Sequence, residues 1–153
     1  MWGQKLGVSR VSLFEGAGNG RTCSNTFEWC NEGISSQKEN FQCIPYEEMD
    51  VCRESFDSKG VFYCADTSVL LKEQRRLLIP PDVRSMLQCA LYNDGKFAGM
   101  VGFHDCSGRM WVQNEIDALI LFSELLSTFL FKWREKERAS QAKKGCPAEP
   151  CRR

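Results

Sequence analysis

One histidine, His104, is all the sequence carries, and no two of its nine cysteines form a Cys-x-x-Cys pair. Structural zinc is commonly held by Cys and His at such short spacings, so no metal site is expected. Net charge is missing too: 20 Lys and Arg balance 20 Asp and Glu. That argues against a polyanion binder, and so against nucleic acid as a partner. No uncharged apolar run reaches the roughly 20 residues that a membrane span needs. The richest apolar segment, near the C-terminus, is interrupted by Glu124. No apolar signal-peptide core opens the chain, which points to a reducing, cytoplasmic setting. The glycines of residues 16–20 come without the lysine and the helix pattern of a phosphate-cradling loop. No internal repeat is present.

What remains fits one domain of 153 residues, long enough to bury most of its unfolded surface. Its centre is residues 84–105, RSMLQCALYNDGKFAGMVGFHD. Asn93, Asp94 and Gly95 lie between two apolar arms, a strong hairpin signal because Asp-Gly tolerates the positive φ of a tight primed turn. The second arm alternates Phe97, Gly99, Val101 and Phe103 against Ala98, Met100, Gly102 and His104. Both sets are largely apolar, so both faces are expected to be covered. Gly99 and Gly102 leave room for close approach to the sheet.

Two further strands are expected at residues 8–15 and 22–30. In the second, simple alternation puts Cys23, Asn25, Phe27 and Trp29 on one face and Ser24, Thr26, Glu28 and Cys30 on the other. Pro45 opens a short helix over residues 46–56, with Glu47, Glu48 and Asp50 in its first turn. A short strand follows at 61–64. A helix over 69–79, stopped by Pro80 and Pro81, has the size and boundaries of a movable lid. The longest helix is expected from Gln113 to about Glu137, with acids near its start and bases near its end. Its apolar residues cover more than the ~100° stripe that one core contact needs. The surplus face, Leu121, Phe122, Leu125 and Phe129, is therefore expected to form a homodimer seam.

A ligand pocket is expected over the sheet face opposite that helix, beneath residues 64–81. Its candidate lining is Phe27, Trp29, Leu78, Cys89, Phe103 and His104. Such pockets are mainly apolar with a few polar anchors, which favours a small, partly aromatic metabolite. The cysteines read as reduced, mostly buried small hydrophobes.

The series SNTFEWCNEGI (residues 24–34), Ile44-Pro45, the central hairpin, and Trp111 with Glu115-Ile116 resembles a GAF domain. It is similar to the subgroup found in bacterial proteins with GGDEF, EAL or histidine-kinase outputs. The resemblance implies an α+β fold: a central antiparallel sheet, terminal helices on one face, and short lid helices and loops enclosing a small-molecule pocket on the other. It implies dimerisation through the terminal helices and coupling to an output domain or signalling partner. The domain is read as residues 1–138 with its first helix truncated, followed by a basic, disordered tail, 139–153. The cyclic-nucleotide signature of some members is not recognisable, and no cysteine is followed directly by histidine, the pair that attaches bilin in photosensory members. The function implied is a non-enzymatic sensor without a cofactor. An alternative on the same fold is a reductase of free methionine sulfoxide, with Cys64, Cys89 and Cys106 as candidate nucleophiles.

Overall fold

The computed structural model describes residues 6–145, apart from the side chains of Leu77 and Leu78. Of the expected remnant of a first helix over residues 1–7, residues 1–5 lie outside what is described and Leu6 is helical; the cysteines at 146 and 151 and the side chain of Leu78 also lie outside. Six strands form one antiparallel sheet in the order β3-β2-β1-β6-β5-β4. They are β1 (Arg10–Gly16), β2 (Thr22–Cys30), β3 (Ile44–Pro45), β4 (Val61–Cys64), β5 (Ser85–Asn93) and β6 (Lys96–Asp105). The helices are α1 (Tyr46–Arg53), α2 (Lys72–Leu78) and α3 (Gln113–Lys144).

The central hairpin is β5–β6, with Asn93 paired to Lys96. Asp94 and Gly95 have φ of 50° and 74°, the two positive values of a type I′ turn, whose twist matches that of the flanking strands. On one face of the sheet, Leu13, Leu87, Cys89, Val101 and Phe103 pack with Leu119 and Leu130 of α3. The Ser127 hydroxyl of α3 donates to the Tyr92 carbonyl of β5 at 3.1 Å. Arg134 then clamps the helix to β1 through a fork to Glu15, both contacts 2.8 Å. Burial pushes the Glu15 carboxyl up, but Arg134 and Thr26 pull it net below its ordinary value. The opposite face carries two apolar patches. One joins Phe14, Cys23 and Met100 to Met49 and Cys52 of α1. The other joins Cys64 and Met86 to Ile79 and Val83.

Four local expectations are corrected. The register of β1 against β2 shifts between Leu13 and Phe14: Leu13 pairs with Phe27, but Phe14 pairs with Asn25. Thr26 is the extra residue, and such a bulge reverses the side-chain alternation. Cys23 therefore joins the patch under α1, while Trp29 packs on the α3 side. The lid helix over 69–79 is two pieces, a 3-10 turn at Thr67–Val69 and then α2. Leu70 and Leu71 between them are extended, with ψ of 148° and 151°. The long helix runs past Glu137 to Lys144, where Gly145 caps it with φ of 67°. Its last residues are strong helix formers that need no apolar face. Phe122 turns toward the sheet, its ring 6.3 Å from that of Phe103, so it leaves the surplus face.

Gly99 and Gly102 do not open a space. A Cβ at Gly99 would lie 2.0 Å from the Phe14 carbonyl oxygen, and one at Gly102 would lie 2.8 Å from Nε2 of His104. The neighbouring strand and the imidazole occupy that room.

Candidate functional site

Between the two apolar patches, the face opposite α3 carries polar side chains. Two rows cross the strands there. One is Cys30, Arg10, His104, Met86 and Cys64; the other is Glu28, Ser12, Gly102, Gln88 and Phe62. Arg10, Ser12, Gln88 and His104 are all at most 2% exposed. Burying a charge is costly unless it is paired and hydrogen-bonded, and Arg10 meets that cost from outside the sheet. Its Nη1 and Nη2 donate to the two carboxylate oxygens of Asp82 at 3.1 and 2.9 Å. Nη2 also donates to the Ser35 carbonyl at 2.8 Å. The Asp82 carboxyl, whose side chain is 37% exposed, is held below its ordinary value chiefly by that fork.

Nε of Arg10 stands 3.8 Å from Glu28 Oε2 and has no hydrogen-bond partner. Glu28 is engaged elsewhere: the Ser36 hydroxyl and the Gln37 backbone N–H donate to it at 2.7 and 2.8 Å. His104, the cross-strand neighbour of Arg10, has no protein partner on either ring nitrogen. Burial, reinforced by the Arg10 charge, pushes its pKa down to about 4, so the ring is neutral at physiological pH.

Segments hydrogen-bonded to this strip bound a cleft of about 580 Å³, whose lining includes none of the strip's own side chains. Gln37, Asn40 and Phe41 form one wall; Lys72, Arg75 and Arg76 of α2, then Ile79, Pro80, Pro81 and Val83, form the other. Each wall is tied to the strip by a charge. Gln37 hangs on Glu28, and the turn bearing Pro81 and Val83 hangs on Arg10 through Asp82. The lining pairs apolar side chains with three cations and no carboxylate. That suits a small molecule with an apolar body and an acidic group.

Of the six residues expected to share a pocket, the five whose side chains are described are not brought together. Cys89 and Phe103 are buried in the core under α3, and Trp29 packs against it. Phe27, opposite Leu13, is on that same side of the sheet and 49% exposed. Of these five only His104 lies in the strip, because adjacent residues of a strand point to opposite faces. Sequence reasoning missed Arg10, Glu28 and Asp82. An arginine inside an otherwise apolar strand was the available signal.

Six cysteines among the described residues are free: Cys23, Cys30, Cys52, Cys64, Cys89 and Cys106. Cys43 is disulfide-bonded, which corrects the expectation of a uniformly reduced set; the irregular spacings give no sign of pairing. Burial raises the candidate nucleophiles, Cys89 to about 11 and Cys64 and Cys106 more modestly. The thiolate is the reactive form, so none of the three is activated. Among the described residues no group of three or more His, Cys, Asp or Glu is placed to hold a metal ion.

A family model of the GAF domain matches residues 3–130. Among solved structures, the chain is similar to the blue-light-absorbing form of the PixJ GAF domain of Thermosynechococcus elongatus. The identity is 20% and the TM-score 0.67, covering 96% of this chain and 89% of that one. It is also similar to a domain assigned to a two-component sensor histidine kinase of Sinorhizobium meliloti 1021. There the identity is 11% and the TM-score 0.65, over 91% of this chain and 90% of that one. At these identities the likeness shows the fold alone. Comparison with curated proteins gives no match.

Proposed function

The chain belongs to the GAF domain family, and from that premise we propose that it is a non-enzymatic sensor of a small acidic metabolite. The carrying observation is the cleft between residues 37–41 and α2, with Lys72, Arg75 and Arg76 beside Phe41, Ile79 and Val83. The domain is placed at residues 1–138, its last helix running on into the basic segment that follows. The setting we favour is cytoplasmic bacterial signalling, coupled to a cyclic-di-nucleotide or two-component output. Among the described residues no helix is long and apolar enough to cross a membrane. Native mass spectrometry of freshly purified protein is expected to reveal a co-purified anion. The double variant Arg75→Glu/Arg76→Glu is expected to lose it, with at least a tenfold weaker affinity on titration. Full retention of the ligand by that variant would refute the cleft as its site.

The second part of the proposal is a homodimer seam. Leu121, Leu125, Phe129 and Trp133 are 57, 52, 70 and 52% exposed and recur every four residues along α3, a spacing that keeps neighbours adjacent on the helix surface. Leu125→Glu or Phe129→Glu would bury an unpaired charge in that seam. Sedimentation is then expected to shift from dimer to monomer. Wild-type protein that sediments as a monomer at high micromolar concentration would sink the idea.

A further inference from the structure

We propose that Asp82 is an internal stand-in for the ligand's acidic group: a carboxylate or phosphate takes its place on Arg10 beside His104, and the turn that carries Asp82 is thereby released. This rests on the reading of the cleft as a ligand site.

Three observations carry it. The first is the asymmetry of the ion pair. Arg10 is buried completely, and its side chain is fixed to the middle of the sheet, whereas the Asp82 side chain is 37% exposed. Asp82 also sits on a short turn between two residues that line the cleft, Pro81 and Val83. The permanent part of the pair is the cation; the carboxylate reaches it from the solvent side. The second is the incomplete satisfaction of the cation. Nε of Arg10 and both ring nitrogens of its cross-strand neighbour His104 are buried without a protein partner, so three polar atoms near the ion pair are unsatisfied. A neutral imidazole can donate from one nitrogen and accept at the other, which suits an anion or its attached hydroxyl. The third is the bidentate geometry itself. The guanidinium fork matches the two oxygens of any carboxylate or phosphate, so nothing in the fork selects Asp82 over an incoming anion.

The exchange is electrostatically balanced. Asp82 is ionised at neutral pH, as an ordinary carboxyl is, and Arg10 lowers its pKa further; one anion replaces another, so Arg10 is never left buried and uncompensated. Asp82 moves into water, where a carboxylate is well solvated. The displaced turn is closed by the Val83 N–H donating to the Pro80 carbonyl at 3.1 Å. It also anchors the 3-10 turn, since the Thr67 hydroxyl donates to the Val83 carbonyl at 2.6 Å. Occupancy at Arg10 therefore changes the restraint on both segments. A ligand shifts an equilibrium only through such a difference between states.

The test is chemical rescue in the full chain. Asp82→Ala removes the resident carboxylate, and thermal unfolding is followed in sodium acetate, in sodium phosphate, in acetamide, and in sodium chloride at matched ionic strength. The variant is expected to melt several degrees below wild type. Acetate or phosphate is expected to restore at least half of that loss while shifting wild type much less, and acetamide and chloride are expected to do neither. A larger gain in acetate assigns a carboxylate ligand; a larger gain in phosphate assigns a phosphoryl group. Equal shifts of wild type and variant, rescue by acetamide, or an unchanged melting temperature in Asp82→Ala would each overturn the proposal. If Asp82→Ala does not fold, Asp82→Ser vacates the same place on Arg10 with a smaller loss of polarity, and the same outcomes apply. Rescue reads Arg10 directly and needs no knowledge of the metabolite. A ligand lost on changing Arg75 and Arg76, with no acetate rescue at position 82, leaves the sensor reading standing and removes the stand-in; rescue without any bound metabolite shows an anion site at Arg10 and overturns both the sensor reading and the stand-in that rests on it.

Discussion

Acidification from pH 6.5 to pH 5 is expected to remove about 2 kcal/mol of folding stability through one side chain, His104. The ordinary imidazole value is 6.5, and burial beside Arg10 brings it to about 4. The folded state therefore keeps the ring neutral while the unfolded chain takes up a proton. Stability is whole above pH 6.5 and falls as the pH drops, until the folded ring itself protonates near pH 4. The full loss over that span is about 3 kcal/mol. The groups facing the ring are Arg10, which opposes its protonation, and Asp82 and Glu28, which favour it less strongly. Both carboxyls are themselves held below their ordinary values. Their contributions are present above the ordinary carboxylate range and are lost below it, so the window from 6.5 to 5 belongs chiefly to the histidine. Urea unfolding at stepped pH checks this, with His104→Leu expected to flatten the slope. The chain has one histidine, so its imidazole resonance reads the folded pKa without assignment. A folded imidazole titrating near 6.5 would defeat the prediction.

Gly99→Ala is expected to destabilise the fold by about 3 kcal/mol or more, the upper end of what overfilling a packed site costs. Its Cβ would meet the Phe14 carbonyl oxygen at 2.0 Å and the Glu15 Cα at 3.2 Å. These are backbone atoms of β1, which is paired with β2 on one side and β6 on the other, so they have nowhere to retreat. Gly102→Ala is the internal comparison. The three atoms its Cβ would meet first all belong to the His104 ring, and a ring can swing, so the expected loss is smaller, about 1 kcal/mol. Denaturant unfolding of the pair decides the matter: a Gly99→Ala no weaker than Gly102→Ala would show that β1 yields.

The hairpin at Asp94-Gly95 was legible because a primed two-residue turn demands residues tolerant of positive φ, a local requirement written in local chemistry. The start of α1 at Pro45 and the strand Val61–Cys64 were legible for similar reasons. The bulge at Thr26 was not. It depends on the register between two strands, and a single inserted residue leaves no mark in the alternation of one strand alone. It is held from outside, by the Thr26 hydroxyl donating to Glu15, which is in turn clamped by Arg134. The break at Leu70-Leu71 was hidden because both are good helix formers whose conformation is set by what surrounds them. The candidate site was harder still. Phe103 and His104 are adjacent in β6, and the period of two already forbade them a common pocket. Arg10 and Asp82 are 72 positions apart and belong to no short motif, so only the fold joins them.

β1 links two of the features described above in mechanical terms. Arg10 near one end holds the turn over the cleft, and Glu15 near the other grips α3 at Arg134, a separation of about 17 Å along an extended strand. Beyond that grip α3 continues from 135 to 144 for roughly 15 Å, with no side chain in the core clusters. The arrangement is a fixed bar with an overhanging arm at one end. A tilt of about ten degrees at the grip carries the tip of that arm by roughly 3 Å, so a rearrangement too small to disturb the sheet is magnified where the helix leaves it.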